Sequence, residues 1–206
     1  MRTGWLVAVA VAATAVAAGC GDGGGTSPAP SSPAPSVSDS TSASAPASAS
    51  AGHRLTVMST AFVDGGTIPR LLTCDGENVS PPLAIGGVPG GTSSLAFTLQ
   101  DSDAPRGTFT HWLVWDIDPH TTRLVAGEHP KGATEGRNDF RTTGYRGPCP
   151  PRGDRPHRYV LTVYATDHRP DLAPDATAED LRRDLSGHTL ASGTLTGRYG
   201  RDTTDR

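Results

Sequence analysis

Residues 94–100 alternate without a break. Leu95, Phe97 and Leu99 fall on one side, and Ala96, Thr98 and Gln100 on the other. Side chains repeat every two residues along a strand, so this pattern specifies a half-buried β-strand and fits no helix. Two further segments share the period. Phe109, Leu113, Trp115 and Ile117 share one face of 109–117, and Tyr159, Leu161, Val163 and Ala165 share one face of 157–165. Segment 54–58 reads as a first strand and 190–199 as a last one. The connections hold much of the chain's 25 glycines and 18 prolines, a content that excludes an all-helical bundle. One helix is marked by its ends. Thr177 is a good N-cap, Glu179 and Asp180 lie in the first turn, Leu181 and Leu185 are one turn apart, and Gly187 stops the run. The expected class is mostly β, with one or two helices near the C-terminus.

This pattern occupies only 53–206, read as one domain large enough for its own core. Residues 1–19 read as an export signal. Arg2 supplies the positive charge, and Trp5 to Ala18 is a 14-residue run without charge, shorter than the roughly 20 residues a membrane span needs. The run ends in Val16-Ala17-Ala18-Gly19-Cys20, which resembles a bacterial lipoprotein signal, with Ala17 where leucine is usual. On that reading Cys20 carries lipid, and the protein sits at the extracytoplasmic side of the cell membrane. The alternative is an ordinary secretory signal with a spare cysteine. From Gly21 to Gly52, Ser, Ala, Pro and Gly supply 27 of 32 residues. Such a segment cannot bury enough apolar surface to offset the entropy of ordering, so 20–52 is expected to be a disordered tether. The balance of 18 basic against 21 acidic residues, a formal net charge of −3, argues against non-specific nucleic-acid binding.

The polar residues of the domain fall at telling positions. Asp101 continues the Leu95-Phe97-Leu99 face one step past the strand. His111 lies among Phe109, Leu113 and Trp115, and His157 and Tyr159 open the Leu161-Val163 face. Polar groups among apolar neighbours cost free energy unless they find partners. Four of them at strand ends suit one shared site, rimmed by the long 118–156 connection with its Gly144, Gly147, Pro148, Pro150 and Pro151. Each also has a plainer reading. A single histidine on an apolar strand is more often a satisfied core residue, Asp101 and Asp103 suit a turn beside Pro105, and Tyr159 suits any strand.

In order, the chain holds Cys74-Asp75-Gly76-Glu77-Asn78-Val79-Ser80-Pro81-Pro82, Asp101-Ser102-Asp103-Ala104-Pro105, His111-Trp112, Gly136-Arg137-Asn138-Asp139-Phe140, Gly144-Tyr145-Arg146-Gly147-Pro148-Cys149-Pro150-Pro151 and His157-Arg158-Tyr159. Together these resemble the phosphatidylethanolamine-binding protein family, in its prokaryotic Raf-kinase-inhibitor-like branch, over about 55–201. The resemblance implies two packed sheets with helices near the C-terminus. It also implies a small anion pocket for phosphate-type or carboxylate groups, formed by Asp101, His111, Pro148, His157 and Tyr159 with backbone from Gly147. Imidazoles and a phenol can donate to anion oxygens. A carboxylate such as Asp101 repels an anion, so its fitting roles are to hold a histidine or to receive an ammonium group. Arg152 and Arg155 are expected to make the rim basic.

Three rival chemistries remain open. Asp101, His111 and His157 have the ligand types of a two-histidine, one-carboxylate metal site. A hydrolase would need an activated nucleophile, but neither a Gly-x-Ser-x-Gly elbow nor a phosphate-cradling loop is present. Family members elsewhere restrain kinases or proteases, so an unknown protein partner could cover the pocket mouth. The expectation is a binding protein with no cofactor, not an enzyme. With Cys20 assigned to lipid, Cys74 and Cys149 remain, an even number in an exported chain, and a Cys74–Cys149 disulfide is expected.

Overall fold

A computed structural model of the chain describes residues 53–203. The expected signal 1–19, Cys20 and the tether 20–52 lie outside the described residues. The elements are β1 (His53–Arg54), β2 (Thr56–Met58), β3 (Leu83–Gly86), β4 (Ser94–Asp101), β5 (Phe109–Ile117), β6 (Arg123–Leu124), β7 (Thr134–Glu135), β8 (His157–Thr166), α1 (Ala178–Asp184) and β9 (Thr189–Tyr199). One sheet has the order β1-β9-β8-β4-β5-β7 and the other β2-β3-β6. All strand pairs are antiparallel except β1 with β9.

The expected first strand is in fact two, and they join different sheets. Residues 53–54 pair with β9, whereas 56–58 pair with β3. Leu55 sits at the crossing and is buried, so the chain itself ties the sheets together at one edge. Between the sheets lies the larger core. Leu55, Val57, Leu83, Ile85 and Leu124 meet Leu95, Phe97, Leu99, Trp112, Val114, Leu161 and Val163 there.

The outer face of the large sheet is covered as well. Ala96, Leu113, Trp115, Leu181 and Leu185 form a second cluster beneath α1. This corrects the half-buried reading of 94–100. Ala96 and Thr98 are as buried as Phe97, because β4 is a central strand sandwiched between the small sheet and the helix. Helix α1 starts where its capping residues put it. The Thr177 hydroxyl accepts from the Asp180 N–H, and the Asp180 carboxylate accepts from the Thr177 N–H at 2.9 Å. Gly187 adopts φ +85° just beyond the helix.

Strand β5 breaks its own period twice. Phe97 faces Val114 but Leu95 faces Ile117, and Leu99 faces Trp112 while Gln100 faces Thr110. Each slip is an extra residue in β5. Asp116, at φ +60°, marks the first; His111 is the extra residue at the second. Leu113 and Trp115 therefore point to α1, while Trp112, Val114 and Ile117 point to the other sheet. The single face expected for Phe109, His111, Leu113, Trp115 and Ile117 does not exist.

Candidate functional site

Asp101, the last residue of β4, stands opposite Tyr159 of β8 and Phe109 of β5. Register thus brings three strand ends to one place. The Asp101 Oδ2 accepts from His157 Nδ1 at 2.8 Å, and both side chains are about 95% buried. The Asp101 Oδ1 accepts from the Asp103 N–H at 2.9 Å, so both oxygens are engaged. His111 arrives through the second bulge. That extra residue turns His111 to the same side as its neighbour Trp112, and its ring packs edge-on against Tyr159 at 5.2 Å. Phe109 and Phe140 flank it at 5.4 and 5.3 Å.

The glycine- and proline-rich loop closes one side. The His111 Nδ1–H donates to the Arg146 carbonyl at 2.7 Å, and the Arg146 N–H returns a bond to the His111 carbonyl. The Gly147 N–H donates to Asn78 Oδ1 at 2.7 Å, and the Cys74 N–H donates to the Pro148 carbonyl at 3.1 Å. Any side chain at 147 would run into the Leu72 backbone oxygen and Asn78, so only glycine permits this approach. Cys74 and Cys149 form a disulfide with Cα atoms 5.4 Å apart, pinning the same two segments.

The six residues expected at the site are therefore brought together at one end of β4, β5 and β8. The reason first given for His111 was wrong, since it does not share a face with Leu113 and Trp115; the bulge delivers it. The expected basic rim is partly countered by carboxylates. Arg152 lies 3.6 Å from Asp75, Arg155 lies 3.6 Å from Asp103, and Arg158 forms a two-pronged pair with Asp103 at 2.8 and 2.9 Å. Two carboxylates, Asp75 and Asp103, thus serve all three arginines, with Arg201 also on Asp75, and the Arg155 side chain stays 83% exposed. Asn78, Arg146 and Phe140 also shape the site. Asparagine tolerates the left-handed φ of +60° that Asn78 adopts, but its contact with Gly147 is tertiary.

Electrostatically the site is short of donors at neutral pH. Burial pushes the His111 imidazole below its ordinary value, against opposing effects from the Arg146 carbonyl and Asp101. The neutral His111 ring spends its N–H on Arg146 and leaves Nε2 as an acceptor. Burial, then the nearby Asp101 charge, pushes the Tyr159 phenol far up, so it keeps its proton. That hydroxyl is buried and makes no hydrogen bond of good geometry within the protein, although the Asp101 carboxylate and the Cys149 backbone lie close enough to act on it. Buried hydroxyls are normally paired, because leaving one unpaired costs on the order of 1–3 kcal/mol. The ligand-type atoms of Asp101, His111 and His157 do not draw together as a metal site requires. Among the described residues that convergence occurs at Asp167, His168 and His188.

A family model described as phosphatidylethanolamine-binding protein matches residues 58–200. The UPF0098 protein of Methanothermobacter thermautotrophicus is 46% identical over 152 residues, covering 71% of this chain and 99% of that one. A Mycobacterium tuberculosis protein bearing the name "Putative lipoprotein LppC" is 36% identical, covering 71% and 75% of the two chains. Among solved structures, Escherichia coli YbcL, described as a member of the mammalian family, superposes with a TM-score of 0.68 at 32% identity. It covers 71% of this chain and 98% of its own.

Proposed function

This chain belongs to the phosphatidylethanolamine-binding protein family, and from that premise we propose that it binds small phosphate-type or carboxylate anions at Asp101, His111, Gly147, Pro148, His157 and Tyr159. It acts as a binding module and not as a catalyst. Exported and held through lipid on Cys20, it works at the outer side of the cell membrane; the lipoprotein name of the mycobacterial relative supports this reading. No helix among the described residues is long and apolar enough to cross a membrane.

The observation that carries the proposal is the buried Tyr159 hydroxyl, which makes no well-formed hydrogen bond and lies beside the Asp101–His157 pair. A ligand oxygen is the acceptor it lacks. The same geometry sets the charge state of the ligand. Asp101 repels a dianion, while the His111 Nε2 seeks a proton. A singly protonated phosphate monoester satisfies both, donating to His111 and accepting from Tyr159. Monoesters lose that second proton near pH 6, so affinity should decline as pH rises above about 6.

Calorimetric titration with phosphoethanolamine and with inorganic phosphate tests this. Asp101→Ala and His157→Ala should abolish binding. Tyr159→Phe is the sharper variant. Its hydroxyl makes no well-formed hydrogen bond within the protein, so stability should change little while affinity falls roughly tenfold or more, the usual worth of a hydrogen bond to a charged acceptor. Absence of heat with either ligand, or unchanged affinity in Tyr159→Phe, would refute the assignment.

A further inference from the structure

The other end of β8 holds a second cluster of titratable groups, remote from the site above. Ten residues of strand separate them, roughly 30 Å. Asp167 and His168 follow β8, and His188 precedes β9. The Asp167 N–H donates to the His188 carbonyl at 3.1 Å, closing the two segments against each other. His188 Nδ1 lies 2.9 Å from Asp167 Oδ1, and His168 Nδ1 lies 3.6 Å from the same oxygen. The two imidazoles stand with ring centroids 4.3 Å apart. One ligand-type atom from each of the three residues falls within 4.8 Å of the others.

We propose that Asp167, His168 and His188 form a binding site for a divalent transition-metal ion of the zinc class. Three observations meet here. The first is spacing. A tetrahedral ion with bonds of about 2.0–2.1 Å holds its ligands about 3.3 Å apart, and the separations of 2.9 and 3.6 Å bracket that value. The second is the group behind His168. Its Nε2–H donates to Asp184 Oδ2 at 2.8 Å, the carboxylate–histidine arrangement that orients a metal-binding ring and fixes its tautomer. The third is the consequence for the other nitrogen. With Nε2 carrying the proton, Nδ1 of a neutral His168 is a lone pair. That atom is buried, has no hydrogen-bond partner, and faces the Asp167 carboxylate. Two acceptors facing each other repel, and a cation between them converts the repulsion into two bonds.

His188 completes the set by moving its proton from Nδ1 to Nε2, so that Nδ1 becomes the third ligand and no proton is lost. Two imidazoles and a carboxylate suit zinc, copper or nickel better than calcium or magnesium, which take all-oxygen shells. Asp167 and His188 are about half exposed at the side chain, leaving an entry path and a fourth position for water. A bound ion would clamp the loop after β8, the start of β9 and, through Asp184, the end of α1.

The test is titration of the full chain with zinc chloride, read by calorimetry and by the visible spectrum of the cobalt-substituted protein. A Cys20→Ser background removes the one thiol outside the disulfide. One ion per chain is expected, with four-coordinate cobalt bands. His188→Gln and His168→Gln should each weaken binding at least 100-fold, and Asp184→Asn by 10- to 100-fold. His120→Gln, at an exposed histidine beside Asp118, should change nothing. Zinc should also raise the melting temperature of the unsubstituted protein, a readout that needs no folded variant. No saturable uptake below millimolar zinc, no rise in melting temperature, or uptake unaltered by His188→Gln would overturn the proposal and leave two ordinary ion pairs.

Discussion

Breaking the Cys74–Cys149 bond should cost more stability than any single non-covalent contact at the candidate site. The two cysteines are 75 residues apart in sequence. On the chain-entropy account, opening a loop of that length returns roughly 15 cal/mol/K to the unfolded ensemble, or about 4.5 kcal/mol at 25 °C. The non-covalent ties across the same junction include hydrogen bonds from Cys74 to Pro148, from Gly147 to Asn78 and from Tyr145 to Leu72, and the Arg152–Asp75 ion pair, each contributing on the order of 1 kcal/mol or less. The disulfide is therefore the largest single tie on the loop. At roughly 2–4 °C per kcal/mol for a domain of this size, the melting temperature should fall by roughly 10–15 °C. The assay is thermal and urea unfolding of the oxidised protein, the same protein under reductant, and the double variant Cys74→Ser, Cys149→Ser. The reduced and substituted forms should agree with each other. Coincident midpoints for oxidised and reduced protein would refute the reasoning, as would recovery of Cys74 and Cys149 as free thiols from unreduced, denatured protein.

Other outcomes follow from single side chains. Leu181→Ala empties the space beneath α1, where Leu181 is fully buried, and should cost about 2–5 kcal/mol by urea denaturation; Thr177→Ala removes the helix cap and should cost about 1 kcal/mol. The Arg158 side chain and N–H hold the Asp103 carboxyl well below the usual carboxylate range. Its stabilisation is present above about pH 4 and is lost at lower pH. Asp103→Asn should thus lower the melting temperature by roughly 2–4 °C at neutral pH, the gap narrowing in scans taken from pH 4 down to 2. His111 is depressed by burial, so its folded state resists protonation. Its contribution is full above about pH 6.5 and shrinks as acid protonates the unfolded chain. Unfolding measured from pH 7 to 5 should show a smaller loss in His111→Gln than in the unsubstituted protein.

Local chemistry and period made part of this molecule readable in advance. Thr177, Asp180 and Gly187 announce α1 because capping is a short-range matter. Asp101, His157 and Tyr159 could be placed on one face because β4 and β8 pair from 94 to 101 without a slip. The same rule failed in β5. A bulge is set by how the strand meets its partner, and nothing in Phe109–Ile117 taken alone reveals it. The small sheet was not legible for a related reason. Strands β2, β3 and β6 hold only two to four residues, too few to show a period. The pairing of Arg152, Arg155 and Arg158 with Asp75 and Asp103 is tertiary, as is the meeting of Asp167 and His168 with His188, 20 residues further on.

The bulge at His111 separates two settings that a regular strand would lock together. On one side of it, Phe109 and His111 keep the phase of the site; on the other, Trp112 and Val114 keep the phase of the core. Removing a single residue, Thr110, would restore unbroken alternation up to Trp112 and rotate His111 to the opposite face. The residues from Trp112 onward would keep their phase, while the bonds that Thr110 makes with Asp139 and Gln100 would be lost. One residue more or less in this strand thus decides whether His111 faces the site at all.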